Sequence, residues 1–481
     1  MSESISSVPD NEAPVLAVDL DGTLIRGDLS GESLLVYLRG NPLRLLRVLL
    51  WLFRGRAFVK RQLAQLVDID YTRLPFRDDV LEFVRTEHSN GRKTMLASGS
   101  DELLVNHLAD YLGCFDEVLA SDGKVNRTGQ HKAACLTEAC PGKGFDYLGN
   151  SKVDVPVWRA SRTVHVVSSN PGFTRFVQAR FTIGKLFEYR VSFLSSLLRQ
   201  CRITHWLKNL LLFVPLLASH SYGNAAATTT AAIAFLSFSL CASAIYLLND
   251  LVDLPFDRAH PRKRKRPLAN GDLQVVVVCL LLMLLLLGSA VLALLLPPGF
   301  QGVLLLYAVT AILYSARLKR IPLADVLVLA CLYTLRIIAG GAALGHPPTF
   351  WLLAFSLFLF FSLALMKRYT ELREIEMGGS PDSGRGYRAG DSSFVLAPGM
   401  AAGFAAVVIL ALYINGPAVQ QLYQNPAWLW LTCPLLLFWL CHVWFSANRG
   451  RMYDDPILFA VQDVVSLLCA LAVTVLFLAA L

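Results

Sequence analysis

YLLNDLVDLPFDRAHPRKRKRPLANG, residues Tyr246–Gly271, lies between two long apolar segments and sets several acidic side chains beside a basic run. Asp250, Asp253 and Asp257 are spaced three and four residues apart, so on a helix they would share one face. Asn249 is displaced by about a quarter turn and can reach the same ligand. Clustered oxygen ligands suit Mg²⁺ shared with a phosphate, so the segment predicts a metal site at a membrane edge.

The basic run follows the aspartates directly. It supplies phosphate-binding donors, namely Arg262, Lys263, Arg264, Lys265 and Arg266. Carboxylates, a metal and basic residues together describe a site for a diphosphate or polyphosphate donor. Taken alone, the basic run is equally compatible with a juxtamembrane cluster that only sets topology. Pro255 is expected to kink a helix here, which would offset Asp257 from the other two aspartates.

The same residues resemble a known family. NDLVDLPFD followed by HPRKRKRPLANG is similar to the first aspartate-rich motif of the UbiA superfamily, whose members are intramembrane transferases. The resemblance implies transfer of a group from or onto a polyprenyl carrier with Mg²⁺. The HPxKxxRP continuation resembles one branch, the polyprenyl-phosphate phosphoribosyltransferases.

Composition predicts an integral membrane protein. The chain has 481 residues, 54% of them hydrophobic and 17% charged, which is too apolar for a soluble protein of this size. Its ten cysteines are scattered singly without a CxxC pair, which argues against a zinc site or a disulfide scaffold and fits a reducing compartment. The polar start, MSESISSVPDNEAP, has no signal-peptide pattern. No nucleic-acid partner is expected, and the sequence leaves the oligomeric state open.

A second motif precedes the membrane region. PVLAVDLDGT, residues 14–23, is a short apolar run typical of a strand that delivers Asp19 and Asp21 at its end, where open α/β sheets bind ligands. It resembles the first motif of haloacid dehalogenase superfamily phosphatases. That resemblance implies that Asp19 is the nucleophile and metal ligand, and that Asp21 is the general acid and base and a second metal ligand.

The remaining haloacid dehalogenase motifs follow in order. By resemblance, Ser98 would hold the phosphate, Lys132 would neutralise it, and FDYLGNSKVDVPVW would supply Asn150 and Asp154 as metal ligands. The family usually has Asp where this chain has Asn150, and an amide oxygen brings no charge to Mg²⁺. The alternative is a degenerate domain kept as a scaffold.

We predict a two-part fold. Residues 1–185 would form an α/β Rossmann-like phosphatase domain, with a helical cap at about 27–90, and 186–205 an interfacial linker. Residues 206–481 would form an all-α, UbiA-like membrane domain. Within the cap, LRLLRVLLWLFRGR (43–56) is apolar, flanked by arginines and too short to span a bilayer. It fits either a membrane-surface helix or the core of the cap.

The membrane half contains nine predicted spans. We place them at 206–222, 225–248, 273–297, 300–318, 321–344, 349–367, 393–415, 427–447 and 457–481. Among the loops between spans, those after the even-numbered spans carry Lys and Arg, and those after spans one, three, five and seven carry none. The positive-inside rule therefore predicts a bacterial-type cytoplasmic membrane protein with its N-terminal domain inside and its C-terminus outside.

Charged and polar residues near the cytoplasmic span ends are further candidates, because such groups in a bilayer are costly. They would bind substrate and comprise Lys208, Asn209, Tyr314, Lys319, Arg336, Lys367 and Arg368. Arg336 lies deep in an apolar span and needs a carboxylate or a bound phosphate as partner. Asp454 and Asp455 are weaker candidates for which a solvated loop is the simpler interpretation.

The loop after span six departs from ordinary UbiA prenyltransferases, which carry a second DxxxD motif there. MKRYTELRE, residues 366–374, has basic residues instead, which favours holding an anionic acceptor directly. We therefore predict Mg²⁺-dependent transfer of 5-phosphoribosyl from phosphoribosyl pyrophosphate to polyprenyl phosphate, with the fused phosphatase removing the ribose 5-phosphate. The alternatives are prenyl transfer from an allylic diphosphate to an aromatic acceptor, and a non-catalytic membrane scaffold.

Overall fold

A computed structural model describes residues 13–41, 44–142, 144–377, 386–388, 390–452 and 456–481. The chain forms two compact units. The first comprises Met1–Cys201 together with Leu247–Leu282, and the second comprises Arg202–Tyr246 together with Met283–Leu481. The aspartate-rich segment therefore packs with the N-terminal residues rather than with the spans that flank it in sequence. Asp454 and Asp455 lie outside the described residues.

The first unit is built on a six-stranded parallel sheet in the order β3-β2-β1-β4-β5-β6. Its strands are β1 (Val15–Asp19), β2 (Thr94–Asp101), β3 (Glu117–Ser121), β4 (Phe145–Gly149), β5 (Val164–Ser168) and β6 (Ile183–Glu188). Successive side chains of a strand point to opposite faces. Leu16 and Val18 accordingly enter one apolar core, and Ala17 enters another. The sheet is thus covered on both faces, as the predicted α/β fold requires.

Helices connect the strands of this unit. They are α1 (Leu29–Gly40), α2 (Arg44–Leu52), α3 (Arg56–Leu66), α4 (Asp78–Ser89), α5 (Glu102–Leu112), α6 (Gln130–Ala139), α7 (Val155–Ala160), α8 (Pro171–Gln178) and α9 (Phe193–Gln200). The first four lie between β1 and β2, so the insert between the first two motifs is helical. Strand order reverses between β1 and β4, and ligands of open α/β sheets bind beyond the strand ends at such a point.

Long apolar helices make up the membrane half. Seven helices in the described residues are long and apolar enough to cross a bilayer: α11 (Ala225–Val252), α14 (Val275–Leu294), α15 (Pro298–Ala316), α16 (Ala324–Leu344), α17 (Phe350–Glu376), α18 (Ser392–Ile414) and Pro426–Asn448, which contains α20 (Thr432–Asn448). The pair α21 (Pro456–Gln462) and α22 (Val464–Ala480), bent by 82°, makes eight if it counts as one span.

Seven or eight spans are fewer than the nine predicted. One difference lies at the first segment, 206–222, where the structure has the shorter apolar helix Ile203–Ala218, and the other lies at the last, 457–481, where the structure has the bent pair α21 and α22. Most of Ile203–Ala218, namely Ile203–Phe213, is a 3-10 helix, and the α-helical part, α10 (Val214–Ala218), carries Pro215 in its first turn. Hydropathy alone does not reveal the change from 3-10 to α-helix, because the residues on both sides of it, Leu210–Leu217, are apolar.

The aspartates do not share one face of one helix, contrary to the sequence-based expectation. Helix α11 ends at Val252, and Asp253 caps the short helix α12 (Leu254–Ala259). Pro255 stands in the first turn of α12, where its missing amide hydrogen costs nothing. The offset of Asp257 expected from Pro255 therefore takes the form of a helix break. The segment continues through α13 (Pro267–Asn270) into α14.

Candidate active sites

Asp19 stands at the carboxyl end of β1 and is bound by a buried lysine. Its Oδ1 accepts a hydrogen bond of 2.7 Å from Lys132 Nζ, and its Oδ2 accepts one of 3.0 Å from the Thr23 hydroxyl. Lys132 comes from α6 and also donates to the Ala97 carbonyl and the Tyr147 hydroxyl. These bonds fix the carboxylate in one orientation, which suits a nucleophile.

Asp21 lies two residues further on and is bound by hydroxyl groups from β2. Its Oδ2 accepts hydrogen bonds from Ser98 Oγ at 3.2 Å and Ser100 Oγ at 2.9 Å. Its Oδ1 accepts one of 2.8 Å from the Leu29 amide at the start of α1. The structure thus brings together four residues that the sequence predicted for the phosphatase site, namely Asp19, Asp21, Ser98 and Lys132.

Burial dominates the electrostatics of this cluster. Desolvation raises the pKa of Asp19 to about 7, although Lys132 opposes the shift. Desolvation, followed by the nearby Asp28 charge, raises the pKa of Asp21 to about 6. Burial also disfavours the charge of Lys132, but the surrounding carboxylates outweigh it and raise the pKa of its ammonium group. The site therefore concentrates negative charge that a cation would stabilise.

The loop after β4 brings Asn150 to the same strand ends. A Cβ on Gly22 would lie 2.0 Å from Asn150 Nδ2, so the amide reaches the turn that follows Asp21, and the positive φ of Gly22 (78°) adds to the need for glycine. Asp154 accepts hydrogen bonds from the Tyr147 hydroxyl and from the Asn150 and Ser151 amides. Its carboxylate thereby fixes the Asn150 loop. It is also linked to Lys132 by the Tyr147 hydroxyl, which accepts a hydrogen bond from Lys132 and donates one to Asp154.

The second acidic cluster is formed by the two outer aspartates of the Tyr246–Gly271 segment. Arg266 Nη1 donates to Asp250 Oδ1 at 3.1 Å and also to Asp257 Oδ2, so one guanidinium group bridges both carboxylates. Gln200 donates to Asp250 Oδ2 at 2.8 Å and accepts from the Leu268 amide. Both aspartates are buried, and the break at Asp253 is what allows them to converge on Arg266.

The other candidates of this segment occupy different positions. Asn249 lies in the last turn of α11, where its backbone carbonyl accepts a hydrogen bond from the backbone amide of Asp253. Lys263 lies exposed in the 3-10 helix Lys263–Lys265. In the described part of the chain, no three His, Cys, Asp or Glu side chains are grouped so that they alone could hold a metal ion.

A buried ion pair joins this segment to the phosphatase. Arg258, next to Asp257, donates from both terminal nitrogens to the Glu32 carboxylate of α1, at 3.0 and 2.6 Å. The two side chains are 9% and 7% exposed, so the pair is sheltered from water. Because the α1 amide of Leu29 binds Asp21, the pair lies one helical turn from the phosphatase site.

In the second unit, Arg336 of α16 is buried among neutral groups. Its hydrogen bonds go to Asn209 Oδ1 at 2.8 Å, the Tyr307 hydroxyl at 3.1 Å and the Leu332 carbonyl. Its guanidinium carbon lies 5.3 Å from the ring centre of Tyr333, and Lys208 Nζ lies 5.5 Å from the same centre. Arg336 was expected to have a carboxylate or a phosphate as partner; the structure gives it an amide, a phenol, a carbonyl and aromatic rings.

Arg368 of α17 has acidic partners instead. Its Nε donates to Asp325 Oδ2 at 2.6 Å, and its Nη1 donates to Glu371. The Tyr387 hydroxyl donates to the other Asp325 oxygen at 2.7 Å. Arg368 is thereby held as part of a polar network. Three further candidates lie near this network in sequence: Tyr314 on α15, Lys319 in the 3-10 helix Leu318–Arg320, and Lys367 beside Arg368 on α17.

Sequence reasoning missed several residues of these networks. They are Thr23, Lys60, Ser100, Tyr147, Gln200, Tyr307 and Tyr387. Thr23 stands inside PVLAVDLDGT, and Ser100 ends KTMLASGS, residues 93–100, the motif that contains Ser98, so motif position could have found both. Nothing in the sequence pattern distinguishes Gln200 or Tyr307 from ordinary helix residues, because their roles depend on partners 50 and 29 residues away.

Comparison with known protein families identifies both halves. Residues 210–462 match the model of the UbiA prenyltransferase family, and residues 16–159 match that of haloacid dehalogenase-like hydrolases. The first match spans more than half of the chain.

Individual proteins are similar over different lengths. An uncharacterized protein of Sinorhizobium fredii, y4nM, is 35% identical over 95% of this chain and 89% of its own length. The decaprenyl-phosphate phosphoribosyltransferase of Mycolicibacterium smegmatis is 35% identical over 39% of this chain and 60% of its own length. Among solved structures, a UbiA homolog from Archaeoglobus fulgidus bound to GPP and Mg²⁺ is 19% identical, with a TM-score of 0.44 over 58% of this chain and 99% of that chain.

Proposed function

This chain belongs to the UbiA prenyltransferase family and carries a haloacid dehalogenase-like hydrolase domain, and we propose that the two halves act in sequence on one lipid. The membrane domain transfers 5-phosphoribosyl from phosphoribosyl pyrophosphate to a polyprenyl phosphate. The phosphatase then removes the ribose 5-phosphate and leaves polyprenyl-phosphoryl ribose. The observation that supports this proposal is that residues Leu247–Leu282, which include Asp250, Asp253 and Asp257, pack in one unit with the phosphatase residues.

The phosphoribosyl donor is favoured over an allylic diphosphate by two features. HPRKRKRP, residues 260–267, resembles the phosphoribosyltransferase branch, and relatives that bear that activity in their names align with about two fifths of the chain. The segment 366–374 has basic residues where prenyltransferases have a second acidic motif. Arg368 is buried and neutralised by Asp325 and Glu371, so Lys367, beside it on the same helix, is the residue we assign to binding an anionic acceptor.

Both acidic clusters fit Mg²⁺. In the phosphatase, Asp19 must be ionised to attack while Asp21 must carry a proton to donate, yet burial gives Asp19 the higher pKa, about 7 against about 6. A cation held by Asp19, Asp21 and Asn150, with Asp154 securing the loop, would favour the ionised nucleophile. In the transferase, Asp250, Asp253 and Asp257, with Asn249 beside them, would bind the ion together with phosphate oxygens of the donor, since no three acidic side chains of the described residues are grouped to hold it alone. When bound, Mg²⁺ would supply charge neutralisation for the phosphate or pyrophosphate.

The chain's own residues would divide the remaining work. Asp19 attacks the phosphorus of the ribose 5-phosphate and becomes an aspartyl phosphate, while Asp21 protonates the departing ribose oxygen. Asp21 then takes a proton from the water that hydrolyses the aspartyl phosphate, which releases phosphate and regenerates Asp19. Ser98 and Lys132 bind the phosphoryl oxygens. In the transferase, Arg266 turns from the aspartates to the donor's phosphates, and Lys263 assists it. Lys208, Asn209 and Arg336, with Tyr314 and Lys319, would bind the lipid phosphate.

The proposed setting is the cytoplasmic membrane of a bacterium, with nine spans once Ile203–Ala218 is counted with the eight others. We place the phosphatase and the aspartate-rich segment on the cytoplasmic side and the C-terminus outside. The loops after the even-numbered spans carry Lys and Arg, which supports this orientation. Phosphoribosyl pyrophosphate is a soluble, highly charged donor, so the transferase site must open to the same side.

The decisive experiment incubates purified protein in detergent with Mg²⁺, polyprenyl phosphate and ribose-labelled phosphoribosyl pyrophosphate, and determines the mass of the labelled lipid. We expect lipid-linked ribose without its 5-phosphate. Lipid-linked ribose 5-phosphate alone would support the transfer but contradict the coupled phosphatase. An unlabelled lipid, from protein that still hydrolyses a small phosphate ester, would contradict the transfer and favour an allylic diphosphate with an aromatic acceptor.

A further inference from the structure

Helix α2 and the turn after it expose a continuous apolar surface. Leu46, Leu50 and Phe53 are 64%, 67% and 89% exposed, and their spacing of four and three residues puts them on one side of the helix. Only Val48 of the helix is buried, in a small cluster with Tyr37 that attaches α2 to the rest of the cap. A helix in the core of the cap would bury those leucines, so the alternative interpretation of this stretch as cap core does not fit.

All charged residues in the stretch around this surface are basic. Residues 33–66 contain no Asp or Glu, whereas their cations are Arg39, Arg44, Arg47, Arg54, Arg56, Lys60 and Arg61. Lys60 and Arg61 bind the phosphatase core, through the Gly99 carbonyl and through Asp101 and Glu102. Arg44 and Arg54 instead bind local neutral groups, a carbonyl and the Phe58 ring. Countercharge for this region must therefore come from outside it.

We propose that the cap patch, defined as Leu46, Leu49, Leu50 and Phe53 with Arg44, Arg47 and Arg54, binds the surface of an anionic lipid bilayer. This is an attachment to the membrane separate from the spans, and it does not depend on the proposed reactions. Burial of a leucine or phenylalanine side chain contributes roughly 1.5–3 kcal/mol, and each basic residue near an anionic surface about 1 kcal/mol. Several of each suffice to hold a domain that the chain already confines to the membrane.

Charge decides between the possible occupants of the patch. A second copy of the chain would bring two basic surfaces together, which repel. An anionic leaflet supplies both the acyl region for the leucines and the phosphates for the arginines. Helix α9, which leads directly into the apolar helix Ile203–Ala218, likewise exposes Phe193 and Leu194, at 57% and 65%. The first unit thus carries a second apolar helix at the point where the chain enters the membrane.

The test places an environment-sensitive fluorescent amino acid at position 50 (Leu50→dansylalanine) in the full-length protein, reconstituted in vesicles whose lipids carry a nitroxide quencher on the acyl chain. A matched protein has Glu138→dansylalanine on the exposed side of α6. With phosphatidylglycerol in the vesicles we expect the label at position 50 to be quenched at least about twofold more strongly than the label at position 138. With phosphatidylcholine alone this difference should shrink.

Equal quenching at positions 50 and 138 would overturn the proposal. So would a response at position 50 that depends on protein density rather than on anionic lipid, because it would identify a second copy as the occupant. In the variant Arg47→Glu/Arg54→Glu, quenching at position 50 should fall toward the control value. Hydrolysis of a small soluble phosphate ester should remain unchanged in that variant, which shows that the domain is folded.

Discussion

The two acidic clusters differ in the cation that neutralises them. Asp19 is paired with Lys132, whose side chain is 5% exposed and is fixed by three hydrogen bonds. Asp250 and Asp257 share Arg266, whose side chain is 30% exposed and comes from a surface loop. A buried ion pair is costly to separate, whereas a partly exposed arginine can exchange its partners with little loss. We infer that the ion pair of Lys132 with Asp19 stays in place when a ligand binds. Arg266 can instead be displaced from Asp250 and Asp257.

This difference matches the ligands that the two sites would receive. A phosphomonoester brings one charged group to Asp19, and Lys132 can bind it without leaving the carboxylate. A diphosphate with its metal ion competes directly for Asp250 and Asp257, so the resident guanidinium must move. In such an exchange Arg266 would pass from the carboxylates to the phosphates.

The largest expected effect is that of Asp19→Asn. An amide cannot attack phosphorus, so hydrolysis of a small phosphate ester should fall by about 10³-fold or more. Lipid-linked ribose 5-phosphate should accumulate in the purified variant, as measured by mass spectrometry. Asp110→Asn, an exposed aspartate on α5, serves as the control. Continued formation of the dephosphorylated lipid would show that another phosphatase site acts on it.

Next in size is Asp250→Asn, with Asp253→Asn as a second variant. Loss of a charged ligand should lower transfer to the lipid by about 10²-fold or more, since it removes charge stabilisation of the departing pyrophosphate. Phosphatase activity on the small ester should persist. Asp272→Asn, directly after the same segment, is the matched control. If the Asp250 variant lost both activities while still folded, the two sites could not be chemically independent.

A smaller effect is expected for Arg266→Gln. The variant frees Asp250 and Asp257 for Mg²⁺, so half-maximal transfer should need less metal. It also removes a phosphate-binding donor, so KM for the donor should rise by about tenfold. Titrations of the transfer rate against Mg²⁺ and against donor measure the two effects separately. The corresponding change at the other cluster, Lys132→Gln, should not lower the metal requirement, because Lys132 is part of the phosphate-binding site.

The smallest effect concerns pH. Burial raises the pKa of Asp19 to about 7, and a protonated carboxyl cannot attack. Phosphatase activity at low Mg²⁺ should therefore increase as pH rises toward neutrality. Saturating Mg²⁺ favours the ionised carboxylate of Asp19 and should shift the acidic limb of the pH–activity profile to lower pH. The metal should therefore stimulate activity a few-fold more at pH 6 than at pH 8. If the acidic limb of the profile lay at the same pH with low and with saturating Mg²⁺, the result would argue against a metal ion beside Asp19.

Local motifs predicted the phosphatase site well. PVLAVDLDGT contains strand β1, and KTMLASGS covers most of strand β2. These strands are parallel neighbours, so their carboxyl ends meet at one edge of the sheet. Asp21 and Ser98, which lie near those ends, are therefore brought together. The helical insert followed from its length and composition. The roles of Tyr147 and Asp154 in holding Lys132 and the Asn150 loop depend on side-chain directions that spacing does not specify.

The transferase site was less accessible to sequence reasoning. Helical spacing placed Asp250, Asp253 and Asp257 on one face, but the break at Asp253 gives a different arrangement in which Arg266 joins the outer two. Arg336 was expected to find an anion, and it is held by Asn209 and Tyr307 from other helices. Such contacts arise from tertiary packing, which periodicity within one segment does not report.

The Glu32–Arg258 pair has a consequence for how the halves can be separated. Cleavage of the chain between α9 and Ile203 would not release a complete N-terminal domain, because Leu247–Leu282 would stay with the spans. The freed fragment would lack Arg258, so the carboxylate of Glu32, whose side chain is 7% exposed, would lose its ion-pair partner. Loss of one partner from a buried ion pair costs about 3–5 kcal/mol. Phosphatase and transferase are in this sense interlaced along the chain, and a gene that encoded only the first 201 residues would encode an incomplete protein.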